Sequence, residues 1–153
     1  MAGTYSQIFI HVVFAVQWRR NLIEPEWEER LHKYMYGILQ EHGQKSIAIN
    51  GMPDHVHIFF SMSTSCRLSD LVREIKKATN QFINENKLSK RPFAWQGGFG
   101  AFSYSRSQMD RVVKYILNQK EHHAEKKFRK EYMELLKRFE IDYNEKYLFD
   151  WMD

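Results

Sequence analysis

Residues 54–62, Asp54-His55-Val56-His57-Ile58-Phe59-Phe60-Ser61-Met62, are the stretch from which the rest of the chain can be read. Their side chains alternate as an extended strand requires, with a period of two. Val56, Ile58, Phe60 and Met62 fall on one face; His55, His57 and Phe59 fall on the other. Two imidazoles two residues apart therefore point the same way. That geometry suits a shared metal ion, because neutral imidazole is the commonest side-chain metal ligand. An ordinary pair of partly exposed strand histidines has the same spacing.

Upstream, Gly51-Met52-Pro53 predicts a turn and residues 46–50 a short strand, so the two runs read as a hairpin. Residues 5–18 are rich in Ile, Val and Phe and apolar on both alternating sets, which predicts a central strand. Pro25 suits the first turn of a helix. Trp27, Leu31, Tyr34, Met35 and Ile38 follow at helical spacing, and Gly43 ends the pattern. A second helix spans 67–86 on Leu68, Leu71, Val72, Ile75 and Phe82. Residues 84–92 read as a loop. Residues 93–104 mix aromatics with Gly97, Gly98 and Gly100 and read as a short, broken strand.

Strand, helix, strand, strand, helix, strand is the split βαβ order. The expected fold is α+β and ferredoxin-like (RRM-like): a four-stranded antiparallel sheet, two helices on one face, the other face open. A third helix begins near Ser107, with Asp110 completing a capping-box-like pair. Met109, Val112, Val113 and Ile116 are its apolar face; Gln108, Arg111, Tyr115, Asn118, Gln119 and His122 are its polar one. A fourth helix covers 124–139 on Phe128, Tyr132, Leu135, Leu136 and Phe139, and 141–153 is an aromatic, acidic tail.

The chain has 153 residues, a net charge of +4 and a pI near 9.1. One domain over 1–153 is expected. The mild basicity is compatible with a polyanionic partner. Cys66, the sole cysteine, excludes an intrachain disulfide and fits a reducing compartment. The apolar run 8–16 is too short to span a bilayer. A cytoplasmic protein is expected.

Tyr115 and Gln119 stand at i and i+4, neighbours on one helix face, about 5–6 Å apart at Cβ. A phenol with a reference pKa near ~10 is protonated at neutral pH. It can still attack a phosphodiester if a metal ion neutralises the phosphate. Two histidines from a strand and a carboxamide oxygen from a helix would form an incomplete shell, open to water and phosphate. Mg²⁺ or Mn²⁺ suits that job. A structural zinc site would be closed by four protein ligands. From spacing alone, Tyr115 reads first as an ordinary half-buried helical tyrosine.

PDHVH (53–57), GAFSYS (100–105) and VVKYILNQKEHH (112–123) together resemble the small single-tyrosine HUH transposases of bacterial and archaeal insertion sequences, the IS200-like transposases. HVVFAVQWRR (11–20) and FEIDYNEKYLFD (139–150) are similar to that family too. The first strand departs from it: FAVQWRR (14–20) stands where something closer to VTKYR is expected.

The resemblance implies an enzyme that cuts and rejoins single-stranded DNA at hairpin-marked element ends through a 5′-phosphotyrosine intermediate. It matches Tyr115 to the nucleophile and His55, His57 and Gln119 to the metal ligands. It also implies a homodimer with shared active sites, one subunit's tyrosine serving the other's histidine pair. His122 and His123 match a frequent pair of underived role. Asp54 and His11 are candidate supporting residues. Arg19, Arg20, Lys76, Lys77, Arg106 and Arg111 are candidate DNA-backbone contacts, each also readable as a solvated cation. Two other functions compete: a domesticated repeat-processing HUH nickase, and a non-catalytic ferredoxin-like nucleic-acid-binding module that stacks bases on sheet aromatics. A pure binder has no use for Tyr115 with Gln119.

Overall fold

The computed structural model describes residues 3–121 and 127–143. Its four strands are β1 (Phe9–Ala15), β2 (Lys45–Met52), β3 (His55–Ser61) and β4 (Gly100–Tyr104). They form one antiparallel sheet in the order β2-β3-β1-β4. Helices α1 (Pro25–Glu41) and α2 (Leu68–Glu85) are the two crossovers. This is the ferredoxin-like arrangement that the element order predicts.

Each face of the sheet follows from the period-two alternation. Ile10, Val12, Phe14, Val56, Ile58 and Phe60 pack in one core with Leu31, Met35 and Leu39 of α1 and Leu71, Val72 and Ile75 of α2. The other face is not open, as the element order suggested. Helix α3 (Met109–Leu117) sets Val112 and Ile116 on Phe9, Ala48 and Phe59. Helix α4 (Phe128–Arg138) sets Phe128, Leu135 and Leu136 on Val13, Ala15 and Phe102. A face carrying Phe9, Val13, Phe59 and Phe102 is too apolar to stay wet, and two further amphipathic helices cover it.

Several local expectations are corrected. The capping box lies at Ser105 and Gln108, on a 3₁₀ turn over Arg106–Gln108, rather than at Ser107 and Asp110. Within 93–104 only Gly100–Tyr104 is a strand; Trp95 makes an isolated bridge to Val16. The C-terminal helix begins at Phe128 among the described residues. His122, His123 and residues 144–153 lie outside them.

Two glycines permit close approaches that position the site. A Cβ on Gly51 would meet the His55 carbonyl oxygen at 2.3 Å, so the β2–β3 hairpin closes only with glycine there. A Cβ on Gly100 would meet the Tyr132 ring at 2.7 Å, so glycine lets α4 seat against β4. None of the described helices is long and apolar enough to cross a membrane.

Candidate active site and metal centre

His55 and His57 project from β3 between the sheet and its C-terminal helices, and both are fully buried. The turn before them is held by backbone bonds from Val16 N to Asp54 O (2.8 Å) and from Ile23 N to Pro53 O (3.0 Å). Asp54 can therefore reach back and accept a 2.7 Å hydrogen bond from His55 Nδ1–H. Phe128 stacks on the His55 ring at 4.4 Å between centroids. On β1, His11 lies opposite Phe59, one same-face step from His57, and its Nε2 is 2.7 Å from His57 Nδ1. Both candidate supporting residues thus touch the histidine pair.

The helix bearing Tyr115 is shorter than the i, i+4 spacing implied. Helix α3 stops at Leu117, where Asn50 Nδ2 donates to the carbonyls of Ile116 (3.0 Å) and Leu117 (3.1 Å). Those carbonyls would otherwise seek partners in a further turn. After a one-residue break at Asn118, Gln119 opens a separate helical stretch, 119–121 among the described residues. It is nevertheless fully buried, beside Lys120, whose Nζ donates to Glu28 Oε1 (2.8 Å) and the Gly51 carbonyl (2.9 Å). Gln119 Oε1 comes 3.2 Å from His55 Nε2. The Tyr115 ring stands edge-on to His57 at 5.6 Å.

At the centre lies Glu131 of α4, a residue that the sequence reading passed over. Its Oε1 is 3.2 Å from His55 Nε2 and 3.3 Å from His57 Nε2. Its Oε2 accepts a hydrogen bond from Gln119 Nε2 at 3.1 Å and a short one from the Tyr115 hydroxyl. One signal could have found it. Glu131 falls between Phe128 and Leu135 at i+3 and i−4, so it interrupts the apolar stripe of an amphipathic helix. A buried carboxylate at such a position is costly unless paired.

Charge explains the arrangement. Burial disfavours the charged form of His55, but the Asp54 and Glu131 carboxylates outweigh it and raise the imidazole to about 9. Burial likewise works against ionised Glu131, yet His55 and His57 hold it well below the usual carboxylate range. The Tyr115 hydroxyl is pushed far up, by burial first and then by the Glu131 charge. His11 is held well below its ordinary value, mainly by burial and then by His57. A neutral His11 agrees with its buried Nδ1, which makes no hydrogen bond among the described residues.

His55, His57 and Glu131 each offer one ligand atom, all within 4.8 Å of one another. Two imidazoles and a carboxylate are a donor set that fits a divalent cation. Glu131 adds a carboxylate to the two histidines and Gln119 expected, and Gln119 Oε1 lies as near His55 Nε2 as Glu131 Oε1 does, 3.2 Å in each case.

The candidate DNA contacts scatter. Lys76 is turned inward: its Nζ donates to the carbonyls of Gln96 (2.8 Å) and Gly98 and lies over the Phe14 ring, and burial lowers it to about 8. Its neighbour Lys77 is exposed. Arg19 and Arg20 lie at the end of β1, with Arg19 lining a cavity that also includes Asp54 and Lys127. Arg106 is exposed in the turn before α3. Arg111 is exposed and shares a cavity with Tyr115.

Comparison with known proteins places the chain in a family and supports its fold. The family model described as "Transposase IS200 like" matches residues 4–119. The ISDra2 transposase TnpA of Deinococcus radiodurans is 24% identical over 122 residues, which is 76% of this chain and 87% of that protein. A crystal structure described as a transposase from Deinococcus radiodurans R1 shares the fold with a TM-score of 0.63 at 21% identity, over 76% of this chain and 94% of that one. A REP-associated tyrosine transposase bound to a REP hairpin shares it with a TM-score of 0.60 at 19% identity, over 78% and 71%. The match of the family model ends before α4, and with it before Glu131.

Proposed function

The chain belongs to the IS200-like transposase family, and from that premise we propose that it cleaves and rejoins single-stranded DNA through a 5′-phosphotyrosine link made by Tyr115. The observation that carries this reading is the convergence of the Tyr115 hydroxyl, His55 Nε2, His57 Nε2 and Gln119 on the Glu131 carboxylate. A candidate nucleophile and a cluster of metal-ligand atoms share one hydrogen-bonded network, which a pure binding module has no need to build.

In this reading Tyr115 Oη attacks the scissile phosphorus. The new O–P bond replaces the bond to the 3′ oxygen, which leaves and takes up a proton as a 3′-OH. The phenol proton departs along its hydrogen bond to Glu131 Oε2. His55, His57 and Glu131 Oε1 would hold Mg²⁺ or Mn²⁺, with Gln119 Oε1 beside them. When bound, that ion supplies positive charge for the phosphate and the leaving oxygen. Asp54 fixes His55 with Nδ1 protonated, so Nε2 faces the centre; His11 does the same for His57. The covalent link conserves the phosphodiester energy, so rejoining needs no nucleoside triphosphate.

The substrate we propose is single-stranded DNA marked by hairpins, as in the relative solved with one, and we place the reaction in the cytoplasm. Labelled single-stranded element ends, incubated with the protein and Mg²⁺ or Mn²⁺, should give a protein–DNA adduct that survives denaturation. DNA that binds but never becomes covalently attached, or cleavage that persists in EDTA, would sink this reading.

A second reading concerns assembly. The homodimer with shared sites expected from the resemblance requires Tyr115 to serve the partner. The contact between Tyr115 and Glu131 within one chain favours a site complete in each subunit. Helix α3 also runs from beside β4 across to β2, over its own sheet. Mixing Tyr115→Phe with His57→Ala separates the two. Recovered cleavage supports shared sites; inactivity despite demonstrated subunit exchange supports the one-chain site.

A further inference from the structure

A cavity of about 540 Å³ opens beside Tyr115, lined by Tyr104, Gln108, Arg111, Val112, Arg138 and Phe139. Its volume falls within the range of small-molecule sites, roughly 300–1,000 Å³. Its walls are of two kinds. Tyr104 and Phe139 meet edge-to-face with ring centroids 5.3 Å apart. Arg111 and Arg138 supply guanidinium groups from α3 and α4. Arg111 stands one helical turn before Tyr115, on the same face of α3. Arg138 lies against the Tyr104 hydroxyl, and its charge is felt as far as His11.

Any phosphodiester brought to Tyr115 carries a nucleoside on each side. Aromatic faces accept unpaired bases of any sequence, and guanidinium forks grip phosphate oxygens. We infer that this cavity is a nucleotide subsite: it seats one of the two nucleotides adjoining the scissile phosphate, with the base on Tyr104 and Phe139 and the phosphate between Arg111 and Arg138. The inference rests on the strand-transfer reading of Tyr115. Arg138 and Phe139 lie beyond residues 4–119, so this wall of the site stands outside the part that matches the family. Arg138 would be a substrate-binding residue that no charge count along the sequence singles out.

The test uses the whole protein in EDTA, with single-stranded oligonucleotides carrying 2-aminopurine on either side of the cleavage position in turn. Stacking quenches this probe. Quenching is expected at one of the two positions and absent several nucleotides away. Arg138→Gln, at an exposed position that leaves the core intact, should weaken binding about tenfold. It should also flatten the log–log salt dependence by about 0.7 for each phosphate that is no longer neutralised. Arg138→Lys should recover part of the affinity, and Phe139→Leu should relieve the quenching. Unchanged affinity and salt slope in Arg138→Gln, or quenching at neither position, would overturn the subsite. Adduct assays separate the two claims. If the wild type forms adduct while these variants bind and quench like it, the subsite falls and the function stands. If the wild type quenches at one position yet never forms adduct, the function falls and the subsite stands.

Discussion

The two faces of this sheet are built from the same strands and both bury apolar side chains, but only one also buries a polar cluster. Towards α1 and α2, β3 presents Val56, Ile58 and Phe60, packed among aliphatic and aromatic side chains. One residue out of phase, it presents His55 and His57, buried as completely but surrounded by Asp54, His11, Gln119 and Glu131. The first face gains free energy by removing apolar surface from water. The second has to desolvate several polar groups and recovers that cost only through mutual hydrogen bonds and opposite charge. A protein that needed only to fold would repeat the first arrangement on both sides.

Mutations should separate these faces cleanly. The largest effect is expected from Tyr115→Phe, which removes the proposed nucleophile and keeps the ring. Adduct formation should vanish while single-stranded DNA still binds; an adduct formed at the wild-type rate would remove Tyr115 from its role. Next is Glu131→Ala. It deletes the carboxylate common to His55, His57, Gln119 and Tyr115, and Mn²⁺ affinity measured by calorimetry should fall by about 100-fold or more, on the scale of missing ligands and their partners. Equal affinity in the mutant would show that the metal centre lies elsewhere.

On the opposite face, Ile58→Ala should cost about 3 kcal/mol in denaturant unfolding, the usual range for truncating a fully buried aliphatic. Its adduct yield per folded molecule should equal that of the wild type. A selective loss of cleavage would mean that the faces are coupled.

The pH dependence of stability should distinguish them too. In metal-free protein His55 is raised from 6.5 to about 9, so its pairing stabilises the fold fully below 6.5. That contribution, on the order of 3 kcal/mol, is lost as pH rises through about 9. Metal binding must displace the same proton, so affinity should climb over this interval. Ile58→Ala should lower the whole stability curve without changing its slope, whereas His55→Ala should flatten it. A flat wild-type curve between pH 6.5 and 9 would argue against the His55–Asp54–Glu131 pairing.

Much of this molecule could be read along the chain. Alternation in 54–62 and 5–18, together with the helical spacings from Trp27 and Leu68, specifies local periods, and periods assign faces. Hence the strand order, the central place of β1 and the common direction of His55 and His57 were legible. What neighbouring residues do to each other through space was not. Nothing local says that Lys76 spends its charge on two carbonyls, or that Asn50 ends α3 before Gln119.

The C-terminal part shows the limit most sharply. Its apolar stripe announces an amphipathic helix, but a helix period does not say which sheet face receives it. The sequence determined that α4 would have an inward side and that Glu131 would lie on it. Only the tertiary structure decided that this side meets two histidines and a tyrosine hydroxyl. A buried carboxylate is tolerated where positive charge and hydrogen-bond donors converge, and those donors come from β3, α3 and the helical stretch just after it, 12 to 76 residues away in the chain.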